Sequence, residues 1–113
     1  MNKICTDIKQ SKKLVELGID INSADMLWTY DFMINDINGL NVISEYLKPE
    51  ENDIPAWSLV ALLDILPHGK ALIHDKGNRG YKCICNNIDT YFHDNPIDAC
   101  YEMILKLHER NLL

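Results

Sequence analysis

The sequence predicts an α+β fold: a single domain over residues 1–113, with a small antiparallel sheet of about four strands packed by three helices. Three observations predict it. The run Ile54 to Pro67 (IPAWSLVALLDILP) is apolar except at Ser58 and Asp64, and a helix apolar nearly all round has to be buried. Two turn signals, Asn38-Gly39 and Asp75 to Gly80 (DKGNRG), each lie between strand-forming runs. The segment from Asn95 onward carries a helix start signal followed by apolar residues at helical spacing.

The first helix is expected over Asp7 to Leu17. Thr6 can cap its N-terminus, and Asp7 suits the positive end of the dipole. Ile8, Ser11, Leu14, Val15 and Leu17 make a thin apolar stripe, and Gly18 fits a left-handed C′ position. Met26 to Tyr30 reads as a strand, turned at Asn38-Gly39 into Leu40 to Tyr46, so a hairpin is expected over about residues 26–46. Lys48 to Asp53 (KPEEND) is a charged loop.

The core helix follows, starting either with Ser58 as N-cap or with Pro55 at N1, and Pro67 stops it. Lys70 to His74 and Tyr81 to Cys85 form the second hairpin, and Tyr91 and Phe92 suit a short further strand. In the last helix Asn95 is the N-cap, Pro96 sits at N1 and Asp98 lies in the first turn. Ile97, Cys100, Tyr101, Ile104, Leu107 and His108 recur at helical spacing, with Lys106 and Arg110 near the C-terminus. Trp57, Leu62 and Ile104 are expected in the core.

Composition narrows the function classes. Hydrophobic residues make up 47% of the 113, which supports a core without disulfide staples. The apolar run is too short for a bilayer, which needs about 20 residues. The start MNKICTDIKQSKK has no hydrophobic h-region, so a cytoplasmic location and no membrane association are expected. A net charge of −6, from seventeen acidic and eleven basic side chains, argues against broad binding to nucleic acid. Cys5, Cys83, Cys85 and Cys100 are expected as reduced thiols, packed as small hydrophobes.

Three stretches carry a resemblance. They are Ser11 to Gly18 with Ala24-Asp25-Met26, Ile54 to Pro67, and Asn95 to Glu109 (NPIDACYEMILKLHE). In that order the chain resembles a family of small uncharacterised proteins carried by phages, prophages and mobile elements of gut bacteria. The likeness covers about a third of the chain, and the IPAWSL run is its most distinctive part. It implies a bacterial cytoplasmic setting and a mobile-element origin. It brings no catalytic residues with it.

Four chemistries can be weighed. For metal, Cys83 and Cys85 at i, i+2 share a strand face, with His74, His93 and Cys100 elsewhere. C-x-C is not the usual zinc-knuckle spacing, and the alternative is two small residues facing the helices. For nucleophilic catalysis, Cys100 with His74 or His93 would serve, yet Cys100 lies on an apolar stripe. No G-x-S-x-G elbow or phosphate-binding glycine loop is present. For acid–base work Asp25, Asp64, Asp98, Glu102 and Glu109 are available, and Asp64 reads as the solvent edge of the core helix. No catalytic, cofactor-binding or metal residue is therefore assigned.

For nucleic acid, Lys70, Lys76, Arg79 and Lys82 gather on the second hairpin beside Tyr81, and Lys9, Lys12 and Lys13 on the first helix. Asp75, Asp89 and Asp94 stand against that reading, and a solvated hairpin is the alternative. For protein partners, Met26, Trp28, Tyr30 and Phe32 share one strand face, expected to be the core side. Leu27, Asp31 and Met33 fall on the other, and two large apolar residues there suggest partner contact or a covering loop. The leading expectation is a non-enzymatic binding or accessory protein of mobile-element origin, with a protein partner or self-association. A weak nucleic-acid binder using residues 70–82, and a small metal protein or enzyme around Cys83, Cys85, His74 and Cys100, are the alternatives.

Overall fold

The computed structural model describes residues 3–44, 47–75, 77 and 80–113. It is an α+β structure with two three-stranded antiparallel sheets and three α-helices. The described residues form two compact units.

The unit Cys5–Ala61 begins with α1 (Ile8–Glu16). Its N-cap is Asp7, not Thr6. The Asp7 carboxylate accepts from the Gln10 N–H at 2.7 Å, and the Gln10 side chain accepts from the Asp7 N–H at 3.1 Å, a reciprocal capping box. Thr6 is released to the interior, where it is fully buried. Gly18 takes the left-handed conformation expected of it (φ 87°).

The sheet of this unit runs β2 (Asp36–Val42), β1 (Met26–Asp31), β3 (Ile54–Ala56). Asn38-Gly39 does not make the hairpin turn. Trp28 pairs with Leu40 and Tyr30 with Ile37, so Asn38 and Gly39 form a bulge inside β2. Gly39 has a φ of 108° and absorbs the kink, while Asn35 (φ 59°) turns the chain between the strands. The aromatic row is not the core side either. Leu27 is fully buried, Met26, Trp28 and Tyr30 are half-buried, and Phe32 lies beyond the strand.

The run from Ile54 divides at Ser58. Pro55 lacks an N–H and sits in β3, a short strand that, among the described residues, pairs with β1 alone. Ser58 then caps α2 (Leu59–Ile65), its Oγ accepting from the Ala61 N–H at 3.3 Å. The helix is amphipathic rather than buried all round: Ala61 and Leu62 are buried, whereas Val60 and Asp64 are exposed.

The second unit is Met1–Ile4 with Leu62–Leu113. Its sheet runs β4 (Lys70–Asp75), β5 (Gly80–Cys85), β6 (Ile88–Asp89). The third strand lies at Ile88–Asp89 rather than Tyr91–Phe92, because Asn86 and Asn87 both take positive φ and turn the chain early. α3 (Pro96–Glu109) starts as its sequence predicts, with the Asn95 side chain accepting from the Asp98 N–H. It packs on β5 and buries Ile97, Ala99, Cys100, Met103, Ile104 and Leu107. Trp57, Leu62 and Ile104 are all fully buried, as expected of core residues.

Candidate functional site

The tip of the β1–β2 hairpin puts three consecutive large apolar side chains in water. Phe32 is 68% exposed, Met33 93% and Ile34 57%. Single exposed apolar residues are ordinary, but three adjacent ones at a loop tip are the usual mark of an interaction surface.

The tip is held by polar bonds on its inner side. Asp31 Oδ1 accepts from the Met33 N–H at 2.8 Å, and Asp31 Oδ2 accepts from Asn38 Nδ2 at 3.2 Å. The Tyr30 hydroxyl donates to Asn35 Oδ1. The Tyr30 and Phe32 rings meet edge to face, with centroids 4.9 Å apart. One strand inward, Thr29 Oγ1 donates to the Asn38 carbonyl at 3.0 Å across the bulge. Asp53 Oδ1 accepts from the Tyr30 N–H at 2.8 Å and its Oδ2 from the Glu50 N–H at 2.9 Å, which ties the acidic loop to β1. The polar side chains of Tyr30, Asp31 and Asn35 and the Met33 N–H are thus bonded within the hairpin, and the apolar side chains are left outward.

The residues singled out for nucleic acid are placed unevenly. Lys76 and Arg79 lie outside the described residues. Lys70 is half-buried, its Nζ 3.4 Å from the Leu66 carbonyl. Lys82 is 3.4 Å from Asp89 Oδ2 and stands 5.2 Å over the Phe92 ring. Tyr81 stacks flat on His74, with centroids 4.2 Å apart. Lys9, Lys12 and Lys13 lie exposed on α1.

The cysteines divide from the histidines. Cys83 and Cys85 are fully buried on β5, and Cys100 is fully buried on α3. The Cys100 thiol hydrogen-bonds Cys83, which lowers the Cys83 pKa against the opposing pull of burial and keeps Cys100 protonated. Burial raises Cys85. His74 is exposed and turned to Tyr81, so the β4–β5 pairing does not gather it with the thiols. Among the described residues no three His, Cys, Asp or Glu side chains form a group able to hold a metal ion.

His93 was paired in the sequence with cysteine; in the fold it meets Glu102. His93 Nε2 lies 2.6 Å from Glu102 Oε1, which also accepts from the Tyr91 N–H at 3.2 Å. Lys106 lies 3.1 Å from Glu102 Oε2 and donates to the Asp89 carbonyl at 2.9 Å. Burial pulls the Glu102 carboxyl up, yet the bonds from His93, Lys106 and Tyr91 together hold it below the usual carboxylate range. The cluster fastens residues 89–93 to α3.

The remaining carboxylates serve structure or face water. Asp25 accepts from the Ser58 N–H at 2.8 Å and from its hydroxyl. Asp98 lies 2.7 Å from Lys3 Nζ, and Asp64 and Glu109 are exposed. The feature that strand alternation hid is the tip. Phe32 and Met33 fall on opposite faces when the strand alternation is carried past Tyr30, and only moving the turn from Asn38-Gly39 to Asn35 brings them together with Ile34. The signal available was Asn35-Asp36 itself.

Comparison with known proteins returned no matching protein family, curated protein or solved structure. No described helix is long and apolar enough to cross a membrane.

Proposed function

We propose that this is a non-enzymatic binding protein that engages a protein partner through the tip of its first hairpin. The observation that carries the reading is the exposure of Phe32, Met33 and Ile34 on a loop braced by the side chains of Tyr30, Asp31, Asn35 and Asn38. A binding loop fixed in advance loses less conformational entropy on association, and apolar anchors at the centre of an interface supply most of its affinity. The bulge at Asn38-Gly39 interrupts β2, one of the two edge strands of the sheet, which disfavours strand-to-strand pairing there. The resemblance of the IPAWSL run and the Asn95–Glu109 helix to proteins of phages and mobile elements supports an accessory role on such an element, in the bacterial cytoplasm.

The test places a photo-crosslinking benzoylphenylalanine at position 33 of the full chain in producing cells, with position 60, an exposed apolar residue away from the tip, as the control. A discrete adduct at 33 that is lacking at 60 supports the reading. No adduct, or the same adducts at both positions, overturns it.

A second reading has one observation in its favour. Tyr91 is 79% exposed with the Lys106 ammonium 5.4 Å from its ring, next to Phe92 with Lys82 above it. Aromatic rings beside cations can stack on single-stranded bases. Filter binding of single-stranded DNA and RNA at low salt tests it, and no retention there removes it.

A further inference from the structure

Resting on the hairpin-tip reading, we infer that the partner is a basic protein surface with an apolar pocket, and that carboxylates around the tip steer it. Two like-charged residues sit directly across from each other at the base of the tip: Asp31 pairs with Asp36 in the β1–β2 register. Each carboxylate accepts from a backbone N–H of the hairpin, Asp31 from that of Met33 and Asp36 from that of Ile37. Their like charges nonetheless face each other, which opposes strand association and concentrates negative charge at the base of the tip. Asp53 is bonded to the Tyr30 backbone, and Glu50 to Asp53, which brings the charged loop to the same hairpin. Among the described residues, no lysine or arginine forms an ion pair with Asp31, Asp36, Asp53 or Glu50.

The wider charge pattern agrees. From residue 14 to residue 61 the chain carries nine carboxylates and a single lysine, Lys48, although its net charge over all 113 residues is only −6. The negative field is thus concentrated on the segment that presents the apolar tip. An apolar centre with an acidic surround is complementary to an apolar pocket with a cationic rim. The same field disfavours a second copy of this chain, an anionic bilayer or a nucleic acid as occupant, because each would bring like charge to the tip.

The experiment follows the adduct formed at position 33. Mass spectrometry identifies the captured molecule and the residue reached. Association kinetics are then measured with that purified partner and two proteins, the natural chain and a neutralised one (Asp31→Asn, Asp36→Asn, Asp53→Asn, Glu50→Gln, Glu51→Gln). Asn retains one side-chain oxygen for the Met33 and Tyr30 N–H groups but gives up the second acceptor that Asp31 and Asp53 offer to Asn38 and the Glu50 N–H. Circular dichroism, thermal melting and amide exchange at Met33 and Tyr30 therefore check that the variant folds with the tip in place. The expected result is a protein partner crosslinked beside lysine or arginine. Its association rate should fall at least about ten-fold between low and high salt, with a similar loss and little salt dependence in the variant. A protein adduct with salt-insensitive association or an unaffected variant overturns the basic-partner inference and leaves the tip reading standing. An adduct with a second copy also overturns it, and an adduct with a lipid or a nucleic acid overturns both readings. No adduct overturns both.

Discussion

Thr6 and Trp57, fifty-one positions apart, exchange two hydrogen bonds: the Thr6 N–H donates to the Trp57 carbonyl at 2.9 Å, and the Trp57 N–H donates to Thr6 Oγ1 at 3.1 Å. Thr6 Oγ1 is also 2.7 Å from Ser11 Oγ, and the Thr6 carbonyl accepts from Trp28 Nε1 at 3.1 Å. One buried threonine thereby links α1, β1 and the segment after β3. Thr6→Val keeps the shape and removes the hydroxyl, which strands the Trp57 N–H and leaves the Ser11 hydroxyl only the 3.4 Å bond to the residue 6 carbonyl. The expected loss is about 1–3 kcal/mol. Thr6→Ser keeps the hydroxyl and should recover most of it. Urea unfolding of the three proteins decides this, and a valine variant as stable as the natural one would show that the network carries no stability.

That network also marks where sequence reading stops. α3 was legible because its signals are local: Asn95 caps, Pro96 opens and Asp98 follows within one turn. The β4 and β5 strands were legible to within a residue, since strong β-formers flank a polar, glycine-rich turn. The run at Ile54 misled because its apolar character comes from two different demands. Ile54 to Ala56 pair with β1, while Ala61 and Leu62 belong to a helix. Trp57 lies between strand and helix, bonded to Thr6, a partner too distant in sequence for periodicity to reveal. Asn38-Gly39 misled for a related reason. Its positive φ is required in a hairpin turn and equally in a bulge, and only the register with β1 separates the two.

Gly80 occupies a position with no room for a side chain. A Cβ there would stand 2.9 Å from the His93 carbonyl oxygen and 3.1 Å from Phe92 Cβ. The approach is close because Tyr81 and His93 exchange backbone hydrogen bonds of 2.7 and 2.8 Å. Gly80→Ala should therefore push residues 92–93 away from β5 and cost about 1–3 kcal/mol. Gly18→Ala offers a contrast, since nothing lies within 4 Å of its Cβ and only the φ of 87° opposes it. Thermal melting should show the larger fall for Gly80→Ala. Faster amide exchange at Tyr81 and His93 in that variant would locate the cause.

Glu102 makes stability depend on acidity. Its carboxyl pKa is lower in the folded chain than when unfolded, so the folded state favours the ionised form. The stabilisation is present above the unfolded value, about 4.3, and is lost as pH falls through the lower folded value. Glu102→Gln should cost about 1–2 kcal/mol at neutral pH, because the bonds from His93 and Lys106 lose their charged acceptor. The deficit should shrink steadily below about pH 4 as the natural carboxyl protonates. Urea midpoints of both proteins from neutral pH to about pH 3 measure the convergence. Parallel curves across that range would rule out Glu102 as the source.

The hairpin tip separates surface from scaffold in a way that stability measurements can resolve. Phe32, Met33 and Ile34 are exposed, so replacing all three with serine removes little burial. It should change stability by no more than about 0.5 kcal/mol each at Met33 and Ile34, and by about 0.5–1.5 kcal/mol at Phe32, whose ring meets that of Tyr30. Asp31 sits beside them with the opposite role, since its two carboxylate oxygens hold the Met33 N–H and the Asn38 side chain. Asp31→Ala should cost about 0.5–1.5 kcal/mol and loosen the turn. The triple serine variant should stay folded with that modest loss yet fail to compete with the natural protein for whatever position 33 crosslinks. Asp31→Ala should lose both stability and competition in part. A triple serine variant that competes as well as the natural chain would show that the exposed apolar side chains take no part in binding.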